Sequence, residues 1–112
     1  MQDKPVIYIV GTKCPPELDE KFNNWYNGTH IPMLLESEHV AGATRYKLAN
    51  VIEGESPTYL AIYEFRDRQA LEAWYSCRER AVAIEEMNER WAEKGFETTF
   101  RAAYEPLKTW HK

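Results

Sequence analysis

Among the three histidines of this 112-residue chain, His30 has the neighbours best suited to chemistry. Trp25 and Tyr26 precede it, Asn27-Gly28 intervenes, and Ile31-Pro32 follows directly. An unperturbed imidazole titrates near pH ~6.5, so it can take up or release a proton at neutral pH. In the stretch FNNWYNGTHIPMLL, Gly28 reads as the left-handed cap ending a helix that carries Phe22, Trp25 and Tyr26. Pro32 then reads as the block that keeps the helix from resuming. His30 is thereby expected where helix gives way to loop, beside aromatic walls, as a proton-transfer group. The competing reading is a ring that only caps carbonyls at the helix end.

Other side chains extend the candidate site. Trp25, Tyr26, Tyr46, Tyr63 and Trp74 are the aromatics that could line a pocket around His30. The hydroxyls of Tyr26 and Tyr46 need partners when buried, so either could orient a polar group of a substrate. Arg45 could hold a carboxylate or phenolate, or sit as a solvated charge at a rim. His39 reads as a loop histidine and His111 belongs to the tail. Dispersed histidines with no carboxylate at ligand spacing give no expectation of a metal site. Cys14 and Cys77 lack metal-ligand spacing and read as reduced thiols. Glu85, Glu86, Glu89 and Arg90 form a charged helical face. A Gly-rich phosphate loop between strand and helix is missing, as is a serine nucleophile elbow, so neither nucleotide cofactor nor acyl-enzyme chemistry is expected.

The elements that would position these groups follow from periodicity. Pro5–Val10 is a short β-rich run, apolar in both registers, which means both of its faces are covered. Gly11–Pro16 reads as a loop, and Pro15-Pro16 followed by Glu17, Asp19 and Glu20 suits a helix start. Leu18, Phe22, Trp25 and Tyr26 fall on one helical face. Ala43–Val51 alternates, with Thr44, Tyr46 and Leu48 on one side and Arg45 and Lys47 on the other. After the Glu53–Pro57 turn, Thr58–Phe65 should return as its antiparallel partner. Asp67 is a plausible N-cap for a long helix over Ala70–Lys94, with an inner stripe of Ala70, Trp74, Cys77, Ala81, Ile84 and Trp91, ended by Gly95. Phe96–Tyr104 completes the pattern as a last strand. The order βαββαβ predicts a ferredoxin-like α+β domain over residues 1–112, a four-stranded antiparallel sheet with two helices on one face. The other face of the sheet would then be apolar and open, and a second copy of the same sheet is its simplest cover, giving a homodimer through sheet faces.

At 44% hydrophobic and 29% charged residues, the chain has the composition of one globular domain. A net charge of -4 with its 14 Lys and Arg scattered argues against nucleic acid. No apolar run approaches the roughly 20 residues of a membrane span, and MQDKPVIYIVG is too short an apolar run for a secretory signal. The expected compartment is the cytoplasm.

The chain resembles the dimeric α+β barrel superfamily and, within it, the EthD-like proteins. The resemblance lies in Trp25-Tyr26 followed by His30-Ile31-Pro32, then Gly42 and a strand with Arg45-Tyr46. A tyrosine-rich strand ending Tyr63-Glu64-Phe65 follows, leading into Asp67 and Ala70-Leu71. It implies that His30 matches the histidine these proteins carry at the end of the first helix. It also implies a menu of activities: cofactor-free monooxygenases, cyclases, decarboxylases, dehydratases, lactone isomerases and haem-handling enzymes. Fold alone does not choose among these. Haem is the least supported, since Asp67–Lys94 holds no histidine to ligate iron. The expectation is a small cofactor-independent enzyme for a hydrophobic aromatic or phenolic molecule, with His30 and Tyr26 catalytic and Trp25, Arg45, Tyr46, Tyr63 and Trp74 binding the ligand. The alternative is a non-catalytic binding or pathway-accessory protein with the same pocket.

Overall fold

The computed structural model describes residues 4–93 and 95–112. Its strands are β1 (Val6–Lys13), β2 (Gly42–Lys47), β3 (Tyr59–Phe65) and β4 (Glu97–Tyr104). Its α-helices are α1 (Asp19–Trp25), α2 (Ile31–Leu34), α3 (Arg68–Tyr75) and α4 (Arg78–Arg90). A 3-10 turn at Pro16–Leu18 leads into α1, and a π-helical turn at Tyr26–His30 carries the chain from α1 into α2. The strands form one antiparallel sheet in the order β2-β3-β1-β4, which is the ferredoxin-like α+β arrangement, and the sheet is not closed.

Alternation decides what each strand shows to either side. In β1 and β3, Tyr8 pairs with Tyr63, Val6 with Phe65 and Val10 with Ala61, and all six are buried beneath the helices. Trp74 of α3 packs against Tyr8, Tyr63 and Phe65, with ring centroids 5.2, 5.8 and 5.1 Å away. Phe22 of α1 covers Tyr59 at 5.7 Å. Each such fully buried side chain contributes about 1.5–3 kcal/mol relative to exposure. The intervening residues Ile7, Ile9, Leu60 and Ile62 point to the opposite face, where no helix among the described residues lies, and they are half-buried. Tyr46, Phe100 and Tyr104 extend that open apolar face across β2 and β4.

Three expectations about elements are corrected. The first helix does not stop at Gly28. It widens into the π turn, in which the Ile31 N–H donates to the Tyr26 carbonyl, and then continues as α2. Among the described residues the only glycine at positive φ is Gly54, at 79° in the loop between β2 and β3. The π turn accounts for Pro32, because proline lacks an N–H and collides with the carbonyl four residues back in a regular α-helix.

The long helix expected over Ala70–Lys94 is two helices. Asp67 caps α3 as expected, accepting the Ala70 N–H at 2.8 Å. The chain then breaks at Ser76, and Cys77 is extended, with φ -77° and ψ 157°. The inner face therefore resets, so that Ala83 is buried in α4 while Ala81 is exposed. Helix α4 ends at Arg90, ahead of Gly95, and Lys94 lies outside the described residues.

Strand β1 also runs on through Gly11 to Lys13, where a loop was expected. The Phe100 ring lies across Gly11 and leaves no room there for a Cβ, next to an irregularity in the β1–β4 pairing. No helix among the described residues is long and apolar enough to cross a membrane.

Candidate active site

A cavity of ≈ 300 Å³ opens between the helical layer and the covered face of the sheet. His30 and Tyr26 reach it from the π turn, Tyr8 and Tyr63 from β1 and β3, and Trp74 from α3. Arg80 and Met87 of α4 and Arg101 of β4 complete its outline. The π turn is what brings the first pair together. With the helix locally wider, both Trp25 and Tyr26 flank His30. The Trp25 ring stacks on the imidazole at 4.6 Å and 24°, and the Tyr26 ring meets it edge-on at 5.0 Å.

His30 is 7% exposed, and its Nδ1 has no hydrogen-bond partner among the described residues. Burial is the main reason that its pKa falls to about 4, because a desolvated imidazolium is disfavoured. Glu86 opposes the fall, and Arg101 and Arg45 each add to it by less. His30 is therefore a neutral imidazole at pH 7, with one ring nitrogen protonated and the other open to accept a proton. Glu86 is held beyond Trp25, accepting the Trp25 Nε1–H at 2.9 Å and the Arg90 Nε–H at 2.7 Å. This pair fixes the indole that backs the imidazole.

Two more buried polar groups in the cavity wall are unpartnered among the described residues. The Tyr63 hydroxyl is one and the Trp74 Nε1–H the other, on side chains 1% and 2% exposed. A buried donor left unsatisfied costs about 1–3 kcal/mol, and such atoms concentrate where a ligand or water completes the network. Burial drives the Tyr63 phenol well above its ordinary pKa, and Tyr26 close by adds to the rise. Burial likewise pushes the Tyr26 phenol up, against the contrary pull of Tyr63 and Arg45. Both tyrosines are thus protonated hydroxyls, able to donate to a ligand oxygen.

Of the residues singled out in the sequence, the fold gathers His30, Tyr26, Tyr63 and Trp74 around one cavity, with Trp25 directly behind His30. Arg45 and Tyr46 go elsewhere. The β2–β3 register pairs Arg45 with Ala61, which sends Arg45 to the helical side. There its guanidinium lies over the Tyr26 ring at 4.4 Å and donates to Asn27 Oδ1 at 2.8 Å, outside the cavity lining. Tyr46 pairs with Leu60 on the open face and is 52% exposed. His39 donates its backbone N–H to Ser37 Oγ and is also outside the lining.

Tyr8, Arg80, Met87 and Arg101 line the cavity without having been singled out. The run Pro5–Val10, apolar in both registers, did not mark Tyr8, and the pairing with Tyr63 brings it to the cavity. Nothing local in the sequence marks Arg80 or Arg101, which meet from distant elements. Among the described residues no group of three or more His, Cys, Asp or Glu is placed to hold a metal ion. Burial, with Asp19 and Glu17 nearby, pushes the Cys14 thiol up, the opposite of what activates a nucleophile.

Several solved structures share the fold. An ethyl tert-butyl ether degradation (EthD) family protein from Bacillus halodurans superposes with a TM-score of 0.66 at 16% identity, covering 91% of this chain and 99% of its own. SnoaB from Streptomyces nogalater, a cofactor-independent oxygenase, gives 0.60 at 9% identity over 95% and 96%. A dimeric protein of unknown function and ferredoxin-like fold from Bacteroides fragilis gives 0.57 at 18% identity over 89% and 94%. At these identities the likeness is one of fold. No curated protein sequence matches the chain. The sequence profile of one family, DUF4286, matches residues 5–103, from the start of β1 almost to the end of β4. With nearly the whole sheet and every described helix inside that match, the chain belongs to the DUF4286 family, described as a domain of unknown function.

Proposed function

We propose that the protein is a small cofactor-independent enzyme that removes a proton from a hydrophobic aromatic or phenolic molecule, with His30 as the acceptor. The observation that carries this reading is the neutral, buried imidazole at the edge of a cavity lined by aromatic and aliphatic side chains with two arginines at its outline. A phenol or activated C–H bound there transfers its proton to His30, and the electron pair stays on the ligand as a phenolate or enolate. That negative charge raises the affinity of His30 for the proton, offsetting the burial that lowers it in the free protein. The Tyr26 and Tyr63 hydroxyls donate to the developing anion, and the buried aromatic side chains beside His30 limit the water that reaches it. The fold it shares with a cofactor-independent oxygenase supports the class of chemistry.

Two copies paired through their open sheet faces are part of the same reading. Support comes from the apolar side chains on that face and from the dimeric neighbour of like fold. The cavity lies on the opposite side of the sheet, so pairing leaves it open to ligand.

The test is incubation with a panel of phenols, naphthols and phenolic acids under air, followed by mass spectrometry. Conversion of any member should fall at least ~100-fold in His30→Ala, the usual worth of a general base. An unchanged rate would remove His30 from the mechanism. Binding without conversion over long incubation would instead identify a non-catalytic binding protein with the same pocket.

A further inference from the structure

We infer that the ligand of this cavity is an anion, a planar hydrophobic acid whose carboxylate or enolate oxygens are held by Arg101 and Arg80. This rests on the reading above that the cavity is the binding site, and adds the ligand's charge and the residues that select it.

The first observation is electrostatic. The chain carries a net charge of -4, yet Arg80 and Arg101 line the cavity and no Asp or Glu does so among the described residues. Like Arg45 and Arg78, neither has an ion-pair partner among them, whereas Arg66 and Arg90 have one each and Arg68 has two. Arg80 is pinned over the Trp74 and Tyr75 rings at 5.0 and 5.8 Å, and its Nη1 donates only to the Tyr75 carbonyl. Glu86, the carboxylate that acts on His30, is already occupied by Trp25 and Arg90. Half-buried Arg80 and exposed Arg101 thus place two guanidiniums at the rim of an aromatic-walled cavity, where they raise the local concentration of anions.

The second observation is independent and concerns hydrogen-bond type. The Trp74 indole N–H can only donate, and the Tyr63 hydroxyl has a proton to give. The Trp74 N–H is unpartnered among the described residues, the Tyr63 hydroxyl has only the adjoining Tyr26 hydroxyl near it, and both side chains are nine-tenths buried or more in the wall of this cavity. A ligand that satisfies them presents acceptor oxygens. A flat ring system bearing carboxylate or enolate oxygens meets both demands, and apolar contact with Met87, Tyr8 and the indole face takes the rest of it.

The experiment uses 2-naphthoate and its neutral isostere 2-naphthamide, each titrated into the intact protein and followed by calorimetry and tryptophan fluorescence. Naphthoate should bind at least ~10-fold more tightly than the amide, the scale of a hydrogen bond to a charged group. Arg101→Met should remove that preference while leaving amide binding in place. Arg78→Met, the same charge loss on an exposed position of α4 outside the cavity lining, should leave the preference intact. Equal affinity for the two probes would overturn the anion assignment and leave the cavity as a binding site. An equal loss in the Arg101 and Arg78 variants would trace the preference to overall charge and overturn the assignment to Arg101. Binding of neither probe would overturn the cavity reading and this inference with it.

Discussion

In His30 burial and chemistry pull against each other, and the balance is visible as a pH dependence of stability. In the unfolded chain the imidazole titrates at its ordinary value of 6.5, and in the folded protein at about 4. Above 6.5 it is neutral in both states and makes no difference. Between the two values the unfolded chain binds more proton, so stability falls as the pH drops, and below about 4 the loss is complete. Taking the protein from about pH 7 to about pH 4.5 should cost roughly 2–3 kcal/mol from this residue. Urea denaturation at both pH values should show a drop in the wild type that shrinks by that amount in His30→Gln. Parallel drops would mean that the imidazole is not held buried and neutral. The burial that keeps His30 neutral, and so open to a proton, also makes it a weaker base until an anion forms beside it, as the proposed mechanism requires.

The π turn between α1 and α2 governs where that imidazole sits. A glycine before a histidine and a proline reads locally as a helix end, but Gly28 remains helical, exposed, and with open space around a would-be Cβ. Gly28→Ala should therefore stabilise the protein, by about 0.5–1 kcal/mol, through reduced freedom of the unfolded chain. A glycine in a left-handed cap would give the opposite sign, so thermal denaturation of this one variant separates the two geometries. Helix α1 is also tied to the sheet by polar contacts that cross elements. The Tyr59 hydroxyl donates to Asp19 Oδ1 at 2.6 Å, and Asn23 Nδ2 donates to Tyr59 Oη at 3.0 Å and to the Asp19 carbonyl at 2.9 Å. The α3–α4 break is fixed similarly, with Cys77 Sγ lying 3.6 Å from Ser37 Oγ just beyond α2.

For the protein as a whole, the decisive feature is a four-stranded sheet covered by helices on one side only. Ile7, Ile9, Leu60 and Ile62 line the middle of the uncovered side, with Tyr46 and Tyr104 at its margins, 52% and 54% exposed. A contiguous apolar face of this kind marks an interaction surface. Sedimentation or native mass spectrometry should find a dimer, and Ile62→Glu should convert it to monomer by placing a charge at the centre of the pairing face. Because Ile62 points away from the helical side, the variant should keep the His30 cavity and its probe affinity. A wild type that stays monomeric at micromolar concentration would end the sheet-to-sheet proposal without touching the cavity.

Patterns short enough to lie within one element were legible in the chain. The doubly apolar runs of β1 and β3, the alternation of β2, the Asp67 cap and the βαββαβ order follow from side-chain period and local hydrogen bonding, and they sufficed to give the fold. Alternation also separated Arg45 from Tyr46, though not which side of the sheet the helices would cover. His30 stood out because its neighbours in sequence are also its neighbours in space. What needed the tertiary structure was whatever depends on distant segments meeting. The π turn, the break at Ser76-Cys77, and the arrival of Arg80 and Arg101 beside Tyr63 and Trp74 leave no local signature. They are set by packing between elements, which overrides the propensity of any one segment.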